Sequence, residues 1–219
     1  MYELILILLF ALVAYRAFNI DDHEIVDLPH KISDRVGRLW DVVHQGMRDN
    51  RLVRAEKALL TILKIDQKNA AAYNRLGILY AKQKEFKDAI DCFEIACSIE
   101  PSASSLHNLG LIYYETENYE RAVTAFEEAI KLEDDMAARH IALAKALEHM
   151  GNDKLMIDHL KKAAEIEPSK ESFRLLIQGY RKRGDDEQAD ILEDKINKMI
   201  TPTASRPRLR VRRPKRIVA

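Results

Sequence analysis

The chain spells one pattern more than once. Leu76, Gly77 and Tyr80 recur as Leu109, Gly110 and Tyr113, and Ala89, Phe93 and Ala96 recur as Ala122, Phe126 and Ala129, always 33 residues on. Pro101 meets Asp134, the one mismatch in the set. A third copy follows 34 residues later, with Ala144 at the glycine position, Leu147 at the tyrosine, Leu160 at the phenylalanine, and Ala163 and Pro168 in register. Gly151 marks its internal turn. Self-similarity at this period means stacked supersecondary units, each too small to bury its own apolar face. Within a unit the apolar residues fall at i, i+3, i+4 and i+7, the stripe of an amphipathic helix. A glycine inside a helix costs about 1 kcal/mol against alanine. Its return at one place in two copies predicts close approach of neighbouring helices there. The repeated alanines serve the same end, and Tyr80 with Phe93, and Tyr113 with Phe126, are expected to fill the adjoining space. Pro101 closes a second helix and opens the next unit.

Two more eroded copies flank these. Upstream, Arg35–Asp49 and Leu52–Ile65 are amphipathic segments parted near Asn50, with Leu59 and Ile62 where Phe93 and Ala96 would fall. Downstream, Glu171–Arg183 and Asp185–Met199 make a last pair, with Gly179, Tyr180 and Ala189 shifted by one. End units of a stack are commonly atypical because they cap it. The whole set resembles the tetratricopeptide repeat, a helix-turn-helix unit of about 34 residues. The resemblance covers residues 36–199: clear units at about 70–102, 103–136 and 137–170, and degenerate ones at about 36–69 and 171–199. Trp40 stands one residue out of register with the family's early aromatic.

The resemblance implies an all-α solenoid of antiparallel helix pairs. Its first helices would line a concave groove that takes an extended peptide or a helix from a partner protein. On the family register that groove shows Asn74, Ile78 and Lys82, then His107, Leu111, Tyr114 and Glu115, then Ile141, Lys145 and His149, and finally Leu175 and Lys182. Tyr114, beside the core Tyr113, is the expected anchor. One branch of the family grips a C-terminal carboxylate with Lys and Asn residues. Here Asn108 matches one such position, but Ala138 and Ala142 stand where bases are needed, so that clamp is not expected.

The first twenty residues, MYELILILLFALVAYRAFNI, form the other constraining segment. Twelve uncharged residues separate Glu3 from Arg16, and the apolar run extends from Tyr2 to Ile20. A bilayer-spanning helix needs about 20 such residues. Residues 1–20 are therefore expected to form an uncleaved transmembrane signal anchor. A cleaved signal peptide would place a base before the run and a small-x-small site after it, whereas nothing basic precedes this run and the residues after it include Tyr15, Arg16 and Phe18. An interfacial helix is the remaining reading. No Lys or Arg precedes the run, whereas Arg16, Lys31, Arg35 and Arg38 follow it. The positive-inside tendency then puts the repeats in the cytoplasm, on a single-pass protein of a bacterial-type inner membrane. Residues 21–35 read as a juxtamembrane linker broken at Pro29.

Charge is unevenly spread. Lys and Arg number 35, as do Asp and Glu, but seven of the bases lie in the last fourteen residues, leaving 28 bases against all 35 acids before them. The tail, residues 200–219, carries Arg206, Arg208, Arg210, Arg212, Arg213, Lys215 and Arg216 between prolines and has no helical period. It is expected to be disordered in isolation. It could lie on an anionic leaflet, contact RNA phosphates at a ribosome, or pair with the acidic body. It has no aromatic residue for base stacking.

No GxxxxGK, HExxH, CxxC or GxSxG occurs, and the seven histidines are scattered. Cys92 and Cys97 lie five apart on one helix, a spacing that suits reduced, packed thiols. No catalytic, cofactor or metal site is expected. The chain reads as a membrane-anchored scaffold that binds partner polypeptides in its groove. The alternatives are a ribosome- or RNA-associated factor acting through the tail, and an exported periplasmic assembly factor. The layout is also similar to the lipopolysaccharide assembly protein B family of the bacterial inner membrane. That family's paired CxxC module is missing here, so its role does not carry over.

Overall fold

The computed structural model describes residues 22–200, and every described element is a helix. The expected anchor at 1–20 and the basic tail from Arg206 lie outside the described residues. Among those described, no helix is long and apolar enough to cross a membrane. Two compact units are present, one ending at Pro101 and one beginning at Ser102. The first holds α1 (Asp22–Arg48), α2 (Leu52–Ile65), α3 (Ala70–Gln83) and α4 (Phe86–Ile99). The second holds α5 (Ala103–Glu115), α6 (Tyr119–Leu132), α7 (Ala137–His149), α8 (Asp153–Ile166), α9 (Lys170–Arg183) and α10 (Asp186–Ile200). Inside each unit every helix packs on its neighbour in sequence, and in the second α5 also touches α7.

One expectation changes. The stretch 21–35 is helical from Asp22, as part of α1, and is not a linker. Proline removes one N–H from the ladder, but no further breaker follows Pro29 until Gly37, so the helix resumes after a single missing bond.

The turns inside the helix pairs share one backbone device. Asn50, Lys84, Glu117, Gly151 and Gly184 all have positive φ, between 57° and 81°, and follow one another at 34, 33, 34 and 33 residues. After each, the next N–H reaches back five residues: Arg51 to Gly46 at 2.7 Å, Glu85 to Tyr80 at 2.9 Å, Asn118 to Tyr113 at 2.8 Å, Asn152 to Leu147 at 2.9 Å and Asp185 to Tyr180 at 2.9 Å. This left-handed C-terminal closure satisfies carbonyls that the helix end would leave bare. Glycine adopts the left-handed region freely, whereas a residue with a Cβ is disfavoured there by about 1 kcal/mol. Glu117→Gly is therefore expected to stabilise the second unit by up to about 1 kcal/mol. A rise in the urea midpoint checks it, with Gly151→Ala moving the midpoint the other way.

The repeated glycines have a defined neighbour. A methyl carbon on Gly77 would lie 2.7 Å from Cε1 of Phe93, and one on Gly110 2.6 Å from Cε1 of Phe126. Each phenylalanine, at most 1% exposed, lies flat against its glycine. The tyrosines instead reach outward with their hydroxyls. Tyr80 donates to Glu56 on α2 at 3.1 Å, and the Tyr113 hydroxyl accepts from Arg121 at 3.2 Å. Where Leu160 replaces the ring, Ala144 replaces the glycine and is itself buried.

Entry to α3, α5 and α9 is capped by a side chain, and entry to α7 is secured by other means. Asn69, Ser102 and Ser169 accept from the N–H three residues on. Met136, at the start of α7, has no such side chain. There the buried Arg139 spans the joint, donating to the Glu133 carbonyl at 3.0 Å and to the Glu133 carboxylate at 2.7 Å. It ties the end of α6 to the start of α7 where elsewhere a hydroxyl or amide would act.

Candidate functional site

The expected groove residues fall in both units. Asn74, Ile78 and Lys82 share one face of α3 in the first unit, with Ile78 half-buried and Lys82 exposed. In the second unit His107, Leu111, Tyr114 and Glu115 of α5 meet Ile141 and Lys145 of α7 around one pocket of about 360 Å³. Phe126, Ala138 and Ala142 complete its wall. On the family register Ala138 and Ala142 stand only as missing bases of a carboxylate clamp. Their small side chains are what open the space between α5 and α7, and their spacing of four on α7 was the available signal.

The pocket is mainly apolar. Leu111 leaves 39% of its surface in solvent. His107 rests at a tilt on the Phe126 ring, with centroids 5.5 Å apart, and its Nδ1 is buried without a partner. Burial, and then the charge of Arg139, push the His107 pKa below its ordinary value, so the ring is neutral near pH 7. An unpaired buried nitrogen carries a penalty of about 1–3 kcal/mol, which a bound hydrogen-bonding group could relieve.

At the rim an aromatic cluster fixes Tyr114. Its hydroxyl is 3.0 Å from His149 Nε2, and its ring meets Tyr119 edge-on at 5.6 Å. Tyr119 stacks on His149 at 4.4 Å and 6°. Burial, followed by Tyr119, Glu148 and Glu115, raises the Tyr114 pKa, so the phenol keeps its proton. The expected anchor is thus held by its own chain at the rim, and the recess beside it is lined by Leu111 and Ile141. Tyr119 was missed by the sequence argument because it belongs to a second helix, whose residues the register does not aim at the groove. Of the last pair, Lys182 is engaged by Glu148 at 3.2 Å and Asp153 at 3.4 Å.

These paired helices, their turns and the recess between first helices define a helical-repeat architecture of tetratricopeptide type. Residues 70–102 and 103–135 each match a family model described as the tetratricopeptide repeat. No curated protein matches the chain in sequence. Solved structures with a similar fold include a crystal structure of MamA, 20% identical with a TM-score of 0.68, covering 76% of this chain and 92% of that one. MamA from Desulfovibrio magneticus RS-1 is 15% identical with a TM-score of 0.68, covering 76% and 95%. YrrB, described as a tetratricopeptide repeat protein with an unusual peptide-binding site, is 21% identical with a TM-score of 0.62, covering 72% and 82%. Identities this low establish the shared fold.

Proposed function

We propose that this protein is a membrane-anchored scaffold that holds a partner polypeptide in the groove of its first helices, with the repeats on the cytoplasmic side. The observation that carries the reading is the recess between α5 and α7. Five groove positions, His107, Leu111, Tyr114, Ile141 and Lys145, converge there around apolar walls and an unpaired histidine nitrogen. Apolar walls with a few polar groups are what a peptide anchor side chain needs. The peptide-binding site named for YrrB and the tetratricopeptide matches agree with this use. The apolar run Tyr2–Ile20 supplies the anchor.

A photo-crosslinking residue at position 111 in the full chain is expected to capture a discrete partner in cells. Adding Ile141→Glu, at a half-buried site on the wall, should reduce capture at least tenfold by placing a charge in the apolar recess, while circular dichroism stays unchanged. Capture that persists through Ile141→Glu, or no capture at all, would remove the groove from the account.

A further inference from the structure

The turn register allows the outward stripe of each second helix to be compared position by position. On α4 that stripe carries Lys87, Asp91, Glu94 and Ser98, on α6 Glu120, Thr124, Glu127 and Lys131, and on α8 Lys154, Asp158, Lys161 and Glu165, two acids offsetting one or two lysines each time and no exposed aliphatic residue. On α2 the same four positions are Val53, Lys57, Leu60 and Lys64, apolar and basic with no acid. Val53 is 61% exposed and Leu60 42%. Arg51 and Arg54 extend the basic surface over the start of the helix, where a shallow recess is lined by Asn50–Arg54 and Lys57. None of these four bases makes an ion pair among the described residues. The acid beside them, Glu56, accepts from the Tyr80 hydroxyl.

We propose that this face of α2 docks on an anionic lipid surface. Exposed aliphatic groups between lysines are the composition of an interfacial helix: the apolar groups enter the headgroup boundary and the lysines reach the phosphates. The position in the chain favours a bilayer over other polyanions. The apolar run Tyr2–Ile20 leads directly into α1, so the first unit is the one an inserted segment holds at the surface. This part of the inference rests on the proposed anchor, and none of it depends on the groove.

The test uses the full chain in vesicles of phosphatidylcholine alone, or with a minority of phosphatidylglycerol. Val53→Cys carries an environment-sensitive fluorophore in a background where Cys92 and Cys97 are alanine. A matched label at Asp158→Cys, the α8 counterpart of Lys57, serves as control. The position-53 probe is expected to shift to the blue and to be quenched by lipid-borne quenchers only in the anionic vesicles, with high salt reversing both. The position-158 probe should not respond. Each basic residue near such a surface is worth roughly fivefold in partition, so Lys57→Glu with Lys64→Glu should lower the ratio of docked to undocked face at least about twenty-five-fold. Both sites are exposed, and an unchanged melting curve confirms folding. Equal signals in the two vesicle types, or a shift that survives the double reversal, overturns the proposal. So does a shift induced by RNA or an acidic polypeptide but not by anionic lipid. Loss of groove crosslinking leaves these signals unaltered, so the two readings fail separately.

Discussion

Gly110→Ala should lower the stability of the second unit by about 2 kcal/mol, although on a solvent-facing helix the same change would raise it by about 1 kcal/mol. The reversal of sign comes from Phe126. The new methyl would lie 2.6 Å from Cε1 and 2.7 Å from Cδ1 of a ring that is fully buried. The ring cannot swing aside in a core packed at crystal-like density. The third copy shows how the conflict resolves, since Ala144 coexists with Leu160. Phe126→Leu alone should cost about 1–2 kcal/mol through the space it vacates. The double variant Gly110→Ala, Phe126→Leu should be more stable than the sum of the single changes, by more than about 1 kcal/mol. Urea unfolding of the four proteins measures this coupling, and strict additivity would show that the glycine is not there for the ring.

Stability should also fall as the medium is acidified from about pH 7 toward pH 5, through one histidine pair. His140 on α7 and His159 on α8 approach Nδ1 to Nδ1 at 3.0 Å, while His140 Nε2 is 3.3 Å from the Asp134 carbonyl. That carbonyl can only accept, so His140 carries its proton on Nε2, and its Nδ1 accepts from the His159 Nδ1–H. One added proton is tolerated on His159 Nε2, because its Nδ1–H still donates to His140, but a second, on His140 Nδ1, sets two N–H groups head to head. Burial depresses both pKa values. For His140 the Asp134 carbonyl and charge oppose the shift and Lys162 adds to it. For His159 the His140 ring adds to it, and Glu127 and Asp158 oppose it.

A histidine with a lowered folded pKa binds fewer protons folded than unfolded. Its contribution is complete above the unfolded value near 6.5 and is lost as pH falls below it. The slope is at most about 1.4 kcal/mol per pH unit for each histidine, and smaller for the half-exposed His159, where water screens the charge. His107 adds in the same direction. His159→Asn keeps a donor near the Nδ1 position and should flatten the pH dependence with little change at neutrality. Unfolding curves at the two ends of the range decide it.

The parts of this architecture that the sequence made legible are those written in unusual residues. Gly77 and Gly110 announced a close approach, because glycine within a helix needs a reason. The partner was less visible: Tyr80 and Phe93 both fit the space on paper, and only packing shows the ring over the glycine and the tyrosine hydroxyl turned to Glu56. Gly151 was legible as a turn. Lys84 and Glu117, in the same left-handed conformation, were not, since neither residue type signals positive φ and the backbone bonds impose it. The Arg139 bridge was hidden because it replaces a missing cap with a side chain three residues further on. The histidine pair was hidden because its members are 19 residues apart. At the recess, the family register supplied the first-helix residues, while Phe126 and Tyr119 entered from a second helix.

The recurring joint has a consequence for how such a chain can grow or shrink. Every left-handed turn is closed by backbone atoms alone and returns at nearly the same interval. Genetic material gained or lost between two such joints, for instance from Asn118 through Gly151, would rejoin like ends. Length can therefore drift by whole hairpins over evolutionary time without a new junction having to be invented.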